Sequence, residues 1–414
     1  MLTRTLQLYR AAYSGLAPSV WLLSLVMLIN RSGAMVIPFL SLYLTSNLGF
    51  SLPQVGWVMS AFGLGSMAGS FIGGKLVDKI GHYQVQFYAL FLSSFCFFAM
   101  IWVTSFWSIC GMIFLTTTIT DAFRPANYAA VASYTTAENR TRGIALIRMA
   151  INLGFAVGPA LGGFLAYRHG FHYLFIADGV TCLFASAILA ISLKNAPMAE
   201  PLLDKTPSET TTTSTTHQSI SSPYRDRQFL FFMFIVLLNA VVFFQLFSTY
   251  PLFFREAYFL NESQIGVLMA FNGLIIAITE MPLIYWLEQK ERFSTYRIII
   301  VGTILMALAY WVLTCLPASM AAALCSMFLI SVGEILSLPF ISTIAVNRPS
   351  AENRGKYLAV FTMTYSLSHI IASNIGMQLT EHFDWNFMWY TMVMIAVFSC
   401  LGFWWIDRTE VIQQ

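Results

Sequence analysis

Twelve stretches of this chain are each long enough to cross a bilayer and carry almost no charge. They run at roughly 18–44, 52–75, 84–104, 107–135, 142–167, 172–193, 228–254, 263–287, 295–316, 319–346, 356–380 and 385–406. A helix needs about 20 mainly apolar residues to cross the hydrocarbon layer. Backbone N–H and C=O groups in lipid must bond within their own segment, which selects helices for runs of this kind. Composition agrees: hydrophobic residues make up 57% of the chain and charged residues 10%, against about 45–50% and about 25% in soluble domains. The expected fold class is therefore all-α and integral to a membrane, with twelve transmembrane helices.

The only long polar segment separates the sixth run from the seventh. It holds Pro197, Pro201, Pro207 and the hydroxyl-rich run Thr210 to Thr216, and it cannot bury enough surface to fold. The expected organisation is a six-helix bundle over 1–194, a flexible linker over 195–227 and a second six-helix bundle over 228–414. If both termini are cytoplasmic, seventeen of the 22 Lys and Arg residues lie on that side and only Arg168 and Arg255 fall outside. That bias sets the expected orientation in the cell (inner) membrane, with the linker inside. The apolar run after the first two arginines has no small-residue cleavage site, so it reads as a retained first helix.

Several function classes fall away at this stage. Net charge is +3 with no basic tract, which argues against nucleic acid as a partner. The six cysteines all lie in apolar runs without close pairs; they read as buried thiols, with neither a disulfide frame nor a metal site expected. No phosphate-binding loop of the Gly-x-x-x-x-Gly-Lys-Ser/Thr type is present. No nucleophile–base pair or metal-ligand cluster points to an enzyme, and no cofactor is expected.

The two halves also resemble each other. Asp121-Ala-Phe-Arg124-Pro125 is followed by Ala137-Glu138-Asn139-Arg140, and Glu334-Ile-Leu-Ser-Leu-Pro339 is followed by Ala351-Glu352-Asn353-Arg354. Each copy sets an acid inside an apolar run and closes on a charged loop. Halves of this kind point to a pathway between them.

Between the second and third runs the chain reads Gly73-Gly74-Lys75-Leu76-Val77-Asp78-Lys79-Ile80-Gly81-His82. This resembles the signature loop of the major facilitator superfamily, Gly-x-Leu-x-Asp-Arg/Lys-x-Gly-Arg/Lys, although His82 and Tyr83 stand where basic residues are usual. The resemblance implies a cytoplasmic conformational latch built from Gly74, Asp78, Lys79 and Gly81. In the fifth run, Gly154, Gly158, Pro159, Gly162 and Gly163 resemble the glycine-rich motif of proton-coupled exporters in that superfamily. Glycines every four residues share one helix face and permit close packing, so a purely structural seam is the competing reading. The whole resemblance covers nearly the entire chain. It implies two pseudo-symmetric six-helix bundles, most like the twelve-helix multidrug/proton antiporter branch.

A charge at the middle of a span costs about 2.5–3.5 kcal/mol, so each needs a partner or a purpose. By position, Arg31, Asp121, Arg124 and Glu334 lie near the middle of their runs, and Arg148, Glu280 and Asp178 lie away from it. Glu334, Asp121 and Glu280 are the proton-coupling candidates, and Arg31, Arg124 and Arg148 the charge partners. Asp121 and Arg124 are three apart and can pair on one helix face, either as a static pair or as part of the mechanism. Asn30, Arg31, Asn239, Gln245, Phe247, Asn272, His369 and Asn374 are the expected cavity residues. For His369 an interhelical hydrogen bond competes with a proton relay.

The leading expectation is a monomeric, proton-coupled exporter of small amphiphilic compounds, with a small molecule, protons and the lipid bilayer as partners. A proton-coupled importer of peptides or other small metabolites is the alternative, since similar Glu-bearing tenth helices occur there; a non-transporting receptor or scaffold is the third. Deleting Thr210 to Thr216 is expected to leave transport intact, because the remaining linker still bridges the halves. Vesicle flux and the gel-filtration profile of the deletion check this, and loss of folding would mean that the segment packs against the helices.

Overall fold

The fold was analysed in a computed structural model, which describes residues 16–136, 139–194, 223–288, 294–348 and 354–413. Residues 195–222 of the expected linker, Ala137 and Glu138 of the first Ala-Glu-Asn-Arg block, Ala351, Glu352 and Asn353 of the second, and Lys290, Glu291 and Arg292 lie outside the described residues. Twelve spans follow one another: α1 (Pro18–Asn47), α2 (Leu52–Ile80), α3 (His82–Met100), α4 (Phe106–Tyr134), α5 (Arg142–His169), α6 (His172–Ser192), α7 (Arg227–Ser248), α8 (Glu262–Leu287), α9 (Thr295–Cys315), α10 (Met320–Asn347), α11 (Lys356–His382) and α12 (Trp385–Thr409). The expected runs match them apart from their ends. The largest difference is at α7, where the run expected to reach 254 stops at Ser248 and a short helix, Tyr250–Glu256, follows with Pro251 in its first turn.

Packing repeats between the halves. In the first six spans α1 packs on α5, α2 on α4, and α3 on α6; adding six to each number gives the pairs of the second half, α7 on α11, α8 on α10, and α9 on α12. The halves meet along two seams, α5 with α8 and α2 with α11, which exchange under the same symmetry.

Two spans are broken where polar groups sit. In α1 the helix Pro18–Ser32 stops, and a second piece, Val36–Leu42, begins after Gly33 to Met35. The freed N–H groups of Met35 and Val36 donate to the two carboxylate oxygens of Asp178 on α6, at 2.9 and 3.1 Å. In α4 the break falls between Phe106–Asp121 and Phe123–Tyr134. Pro125 has no N–H to return to the carbonyl of Asp121, so the helix bends at that acid.

Apolar packing differs at the two ends of the bundle. At the end remote from the linker, one continuous core joins both halves, with Phe39, Val58 and Phe175 in the same cluster as Tyr250, Tyr310 and Trp389. At the linker end there are two separate cores, one around Leu23, Phe123 and Leu189, the other around Phe229, Ile299 and Phe403. The halves are therefore joined at the far end, and their linker-end cores stay apart. Large apolar side chains such as Phe71, Phe184, Phe234 and Phe398 are exposed around the outside, as the surface of a span facing lipid requires.

Asp226 ties together the linker end of the second half. It caps α7 by accepting from the N–H of Phe229 at 2.9 Å, pairs with Arg348 at 3.0 and 3.1 Å, and accepts from the Tyr357 hydroxyl at 3.2 Å. Burial pushes its carboxyl up, and these donors outweigh that and hold it below the ordinary aspartate range. A depressed carboxylate stabilises the fold above its unfolded pKa and loses that contribution as pH falls through the folded value.

Close approach in the first half depends on a glycine row on α2. A methyl at Gly69 would lie 2.3 Å from the backbone oxygen of Thr118, and one at Gly73 2.6 Å from the backbone of Ala122, whereas one at Gly74 would meet nothing within 4 Å. Of that pair, Gly73 is the glycine that packing requires, and Gly74, expected in the latch, has open space beside it. Gly69→Ala is expected to destabilise the detergent-purified protein by about 1–3 kcal/mol, while Gly74→Ala leaves it as stable or slightly more so. Thermal unfolding of both variants is the check.

Candidate functional site

A cavity of about 450 Å³ lies between the halves. The first half lines it with Arg31, Phe62, Ser66, Asp121, Arg124 and Phe155, among others, and the second with residues of α7, α10 and α11, notably Phe244, Phe247, Phe361, Tyr365 and His369. Behind it, within the first half, a pocket of about 70 Å³ is lined by Asn30, Arg31, Asp121, Asp178 and Cys182 together with threonines of α4.

The bend in α4 brings Asp121 to the cavity wall. Arg124 lies 3.5 Å from it, and Ser66 of α2 donates a hydrogen bond to its other oxygen. Arg31 is held differently. A methyl at Gly154 would lie 2.5 Å from the Arg31 Cβ, and one at Gly158 3.1 Å from the Arg31 carbonyl oxygen. The α5 glycine face therefore presses on the backbone of α1 just ahead of its break. The Arg31 guanidinium sits 5.7 Å from the centre of the Phe155 ring, within cation–π range. It makes no hydrogen bond or ion pair with any described residue, and its Nε is buried.

The glycine motif of α5 serves two seams. Gly154, Gly158 and Gly162 face α1, while Gly163 faces α8, where a methyl would lie 2.4 Å from the Glu262 carbonyl oxygen. Pro159 contributes its carbonyl to the same crossing, 2.4 Å from a methyl placed on Gly266.

Other expected residues part from the cavity. Gln245 is fully buried, donating to the Ala372 carbonyl at 2.9 Å and accepting from Thr249 at 2.9 Å. Phe244 and Phe247 share the cavity face of α7, and Gln245, about 100° round the helix from Phe244, ties α7 to α11 instead. Asn239 is likewise fully buried and donates to Thr303 on α9 at 2.8 Å. Both are corrections to the expected cavity set: in lipid a buried amide has no water to turn to, so it bonds across a helix contact. Asn374 bonds Ser60 and the Gly56 carbonyl across the α2–α11 seam. Asn272 donates to Ser331 at 2.9 Å and to Glu334 at 3.3 Å, joining α8 to α10. Neither is among the cavity-lining residues. Asn30 lies in the smaller pocket, with its amide 3.7 Å from the Cys182 sulfur. His369 does line the cavity, between the rings of Phe62 and Phe244 at 5.1 and 4.7 Å. Its Nδ1 is buried without a partner among the described residues, so the expected interhelical hydrogen bond is not made there.

Two candidates from separate expected groups meet. Arg148 of α5 pairs with Glu280 of α8, and Asn152, one helical turn on, donates to the other oxygen of Glu280 at 2.7 Å. This is an ion pair between the halves. Glu334 lies one turn beyond Leu338, which lines the cavity, on the side of the joined core. In the expected latch, Asp78 and Lys79 are exposed, Gly81 has φ +86°, and Asp78 pairs with no described residue. Among the described residues no group of three or more His, Cys, Asp or Glu could hold a metal ion.

Sequence reasoning missed Phe361 and Tyr365, although the signal was present: with His369 they recur every four residues and so share one face of α11. It also missed Ser66, an isolated serine that nothing in its own run marks out.

Twelve spans in two symmetric halves around an inter-half cavity define a polytopic membrane transporter. The family model of the Major Facilitator Superfamily matches residues 20–373 and 260–413, and the chain belongs to that family. Among curated relatives, the Na(+), Li(+), K(+)/H(+) antiporter of Planococcus maritimus is 24% identical over 91% of this chain and 92% of its own length. Multidrug resistance protein 1 of Bacillus subtilis is 25% identical over 87% and 89%. Among solved structures, a POT family transporter in complex with 5-aminolevulinic acid matches at a TM-score of 0.77 with 14% identity, over 94% of this chain and 96% of that one. The nucleoside transporter NupG matches at 0.72 with 14% identity, over 94% and 99%. At that identity the likeness is one of fold.

The ion pair between α5 and α8 gives a direct test. Arg148→Glu and Glu280→Arg, made singly, are each expected to widen the linker-end distance between the two helices, and the double reversal to restore much of it. Distances between spin labels on α5 and α8 measure the change.

Proposed function

We propose that this chain is a proton-coupled exporter of small amphiphilic compounds that works by alternating access. In this reading it acts as a monomer in the cell (inner) membrane, with both termini and the linker cytoplasmic. The halves, 1–194 and 228–414, rock about the central cavity, and 195–227 connects them. The state described here is then the one with the outer end closed, since the joined core lies at that end and the cationic loops lie at the other.

One observation carries the coupling: Glu334, midway along α10, has Asn272 as a hydrogen-bond partner and no cation within ion-pair distance among the described residues. Asp121 is held by Arg124 and Ser66, and Glu280 by Arg148 and Asn152. An acid without a counter-charge in lipid is the one best suited to exchange a proton as access alternates. Each proton crossing 100 mV supplies about 2.3 kcal/mol. Export is supported by the relatives whose names denote an antiporter and a multidrug resistance protein. The likeness to peptide transporters is one of fold and does not argue for import.

Glu334→Gln imitates the protonated acid. It is expected to abolish accumulation driven by a pH gradient in reconstituted vesicles while leaving substrate binding within about threefold of the native protein. Uphill transport by Glu334→Gln with an unchanged pH dependence would remove Glu334 from the role and pass it to Asp121 or Glu280.

A further inference from the structure

The charges lining the cavity are unevenly distributed. Its first-half wall carries two guanidiniums, Arg31 and Arg124, against one carboxylate, Asp121. The second-half wall carries no Asp, Glu, Lys or Arg, and presents Phe244, Phe247, Phe361 and Tyr365 instead. Of the two arginines, Arg124 shares Asp121 at 3.5 Å, and that acid already accepts a hydrogen bond from Ser66. Arg31 makes no hydrogen bond or ion pair with a described residue, and Asp121, which lines the same wall, lies beyond ion-pair distance of it. The remaining nearby acids are spoken for: Asp178 accepts from two backbone N–H groups of α1, Glu280 is paired with Arg148, and Glu334 lies beyond the lining, bonded to Asn272. An unpaired guanidinium in a span is costly, and the glycine face of α5 fixes the backbone that carries it.

We propose that the cavity takes amphiphilic anions. A carboxylate or sulfonate on a flat apolar body would place its charge on Arg31 and Arg124 and its body among the rings of Phe62, Phe155, Phe244 and Phe247. Arg31 offers a planar fork of N–H donors suited to two oxygens of one acid group. Its backbone is held before the ligand arrives, so only the side chain has to order on binding. A cationic amphiphile of the same size would bring a third positive charge to a wall with one carboxylate.

The inference rests on the transporter reading, and one experiment separates the two. The full chain in lipid nanodiscs is titrated with 1-pyrenebutyrate and with 1-pyrenemethylammonium, empty discs serving as the blank. The anion is expected to bind at least tenfold more tightly than the cation. Arg31→Gln should weaken the anion tenfold or more without weakening the cation. Arg31→Lys should recover part of the loss, and Asp121→Asn should tighten the anion severalfold. Equal binding of the two probes, or tighter binding of the cation, overturns the proposal, as does a folded Arg31→Gln protein with native anion affinity. Should Arg31→Gln not fold, unchanged anion affinity in both Arg31→Lys and Asp121→Asn overturns it. Flux in vesicles then divides the outcomes. Anion binding without transport leaves this inference standing and removes the transporter reading, whereas transport of the cation alone does the reverse.

Discussion

In a bilayer, lipid tails cover an apolar helix surface as well as another helix does, so spans hold one another by close backbone approach and buried polar ties. The rest of this structure depends on that constraint. Gly69 and Gly73 bring α2 onto the backbone of α4, Gly154 and Gly158 bring α5 onto α1, and Gly163 with Gly266 and Gly273 brings α5 against α8. The first two contacts build the first half, and the third joins it to the second. Because the α5 glycines occupy two faces of one helix, that span couples the internal packing of its half to the seam between the halves.

The broken helices follow a related logic. A span can leave backbone groups unpaired only where something else satisfies them. At the break in α1 that partner is Asp178, reaching from α6. At the break in α4, Pro125 removes a donor, and the bend turns Asp121 toward Ser66 and Arg124. Both irregular stretches lie beside the cavity. The polar chemistry of the first half is concentrated where regular helix gives way, as discontinuous spans allow in transporters.

The halves have similar architecture and different chemistry. The second half keeps its proline in an unbroken α10 and ties its amides into helix contacts, Asn239 to Thr303 and Gln245 to Ala372. It therefore offers the cavity rings and hydroxyls, while the first half offers charge. Across the α5–α8 seam, Arg148 and Glu280 add an electrostatic contact to the close-packed one. One apolar core is continuous between the halves at the far end, and two separate cores lie at the linker end.

The sequence by itself determined the twelve spans, the polar break between two sets of six and the places where charge had to be accommodated. These are local quantities: the length of an apolar run and the cost of an ion within it are set before any helix meets another. The four-residue spacing of Gly154, Gly158 and Gly162 likewise marked a packing face in advance. What that face packs against, and which polar residues pair, was left to the tertiary structure. Arg148 finds Glu280 from 132 residues away, and Gln245 turns from the cavity although its neighbour Phe244 faces it. Helical periodicity says which side chains share a face, but the direction of that face depends on the rotation of each span about its own axis. Only the contacts between helices settle that rotation, and with it which described residues come within bonding distance of Arg31 and which do not.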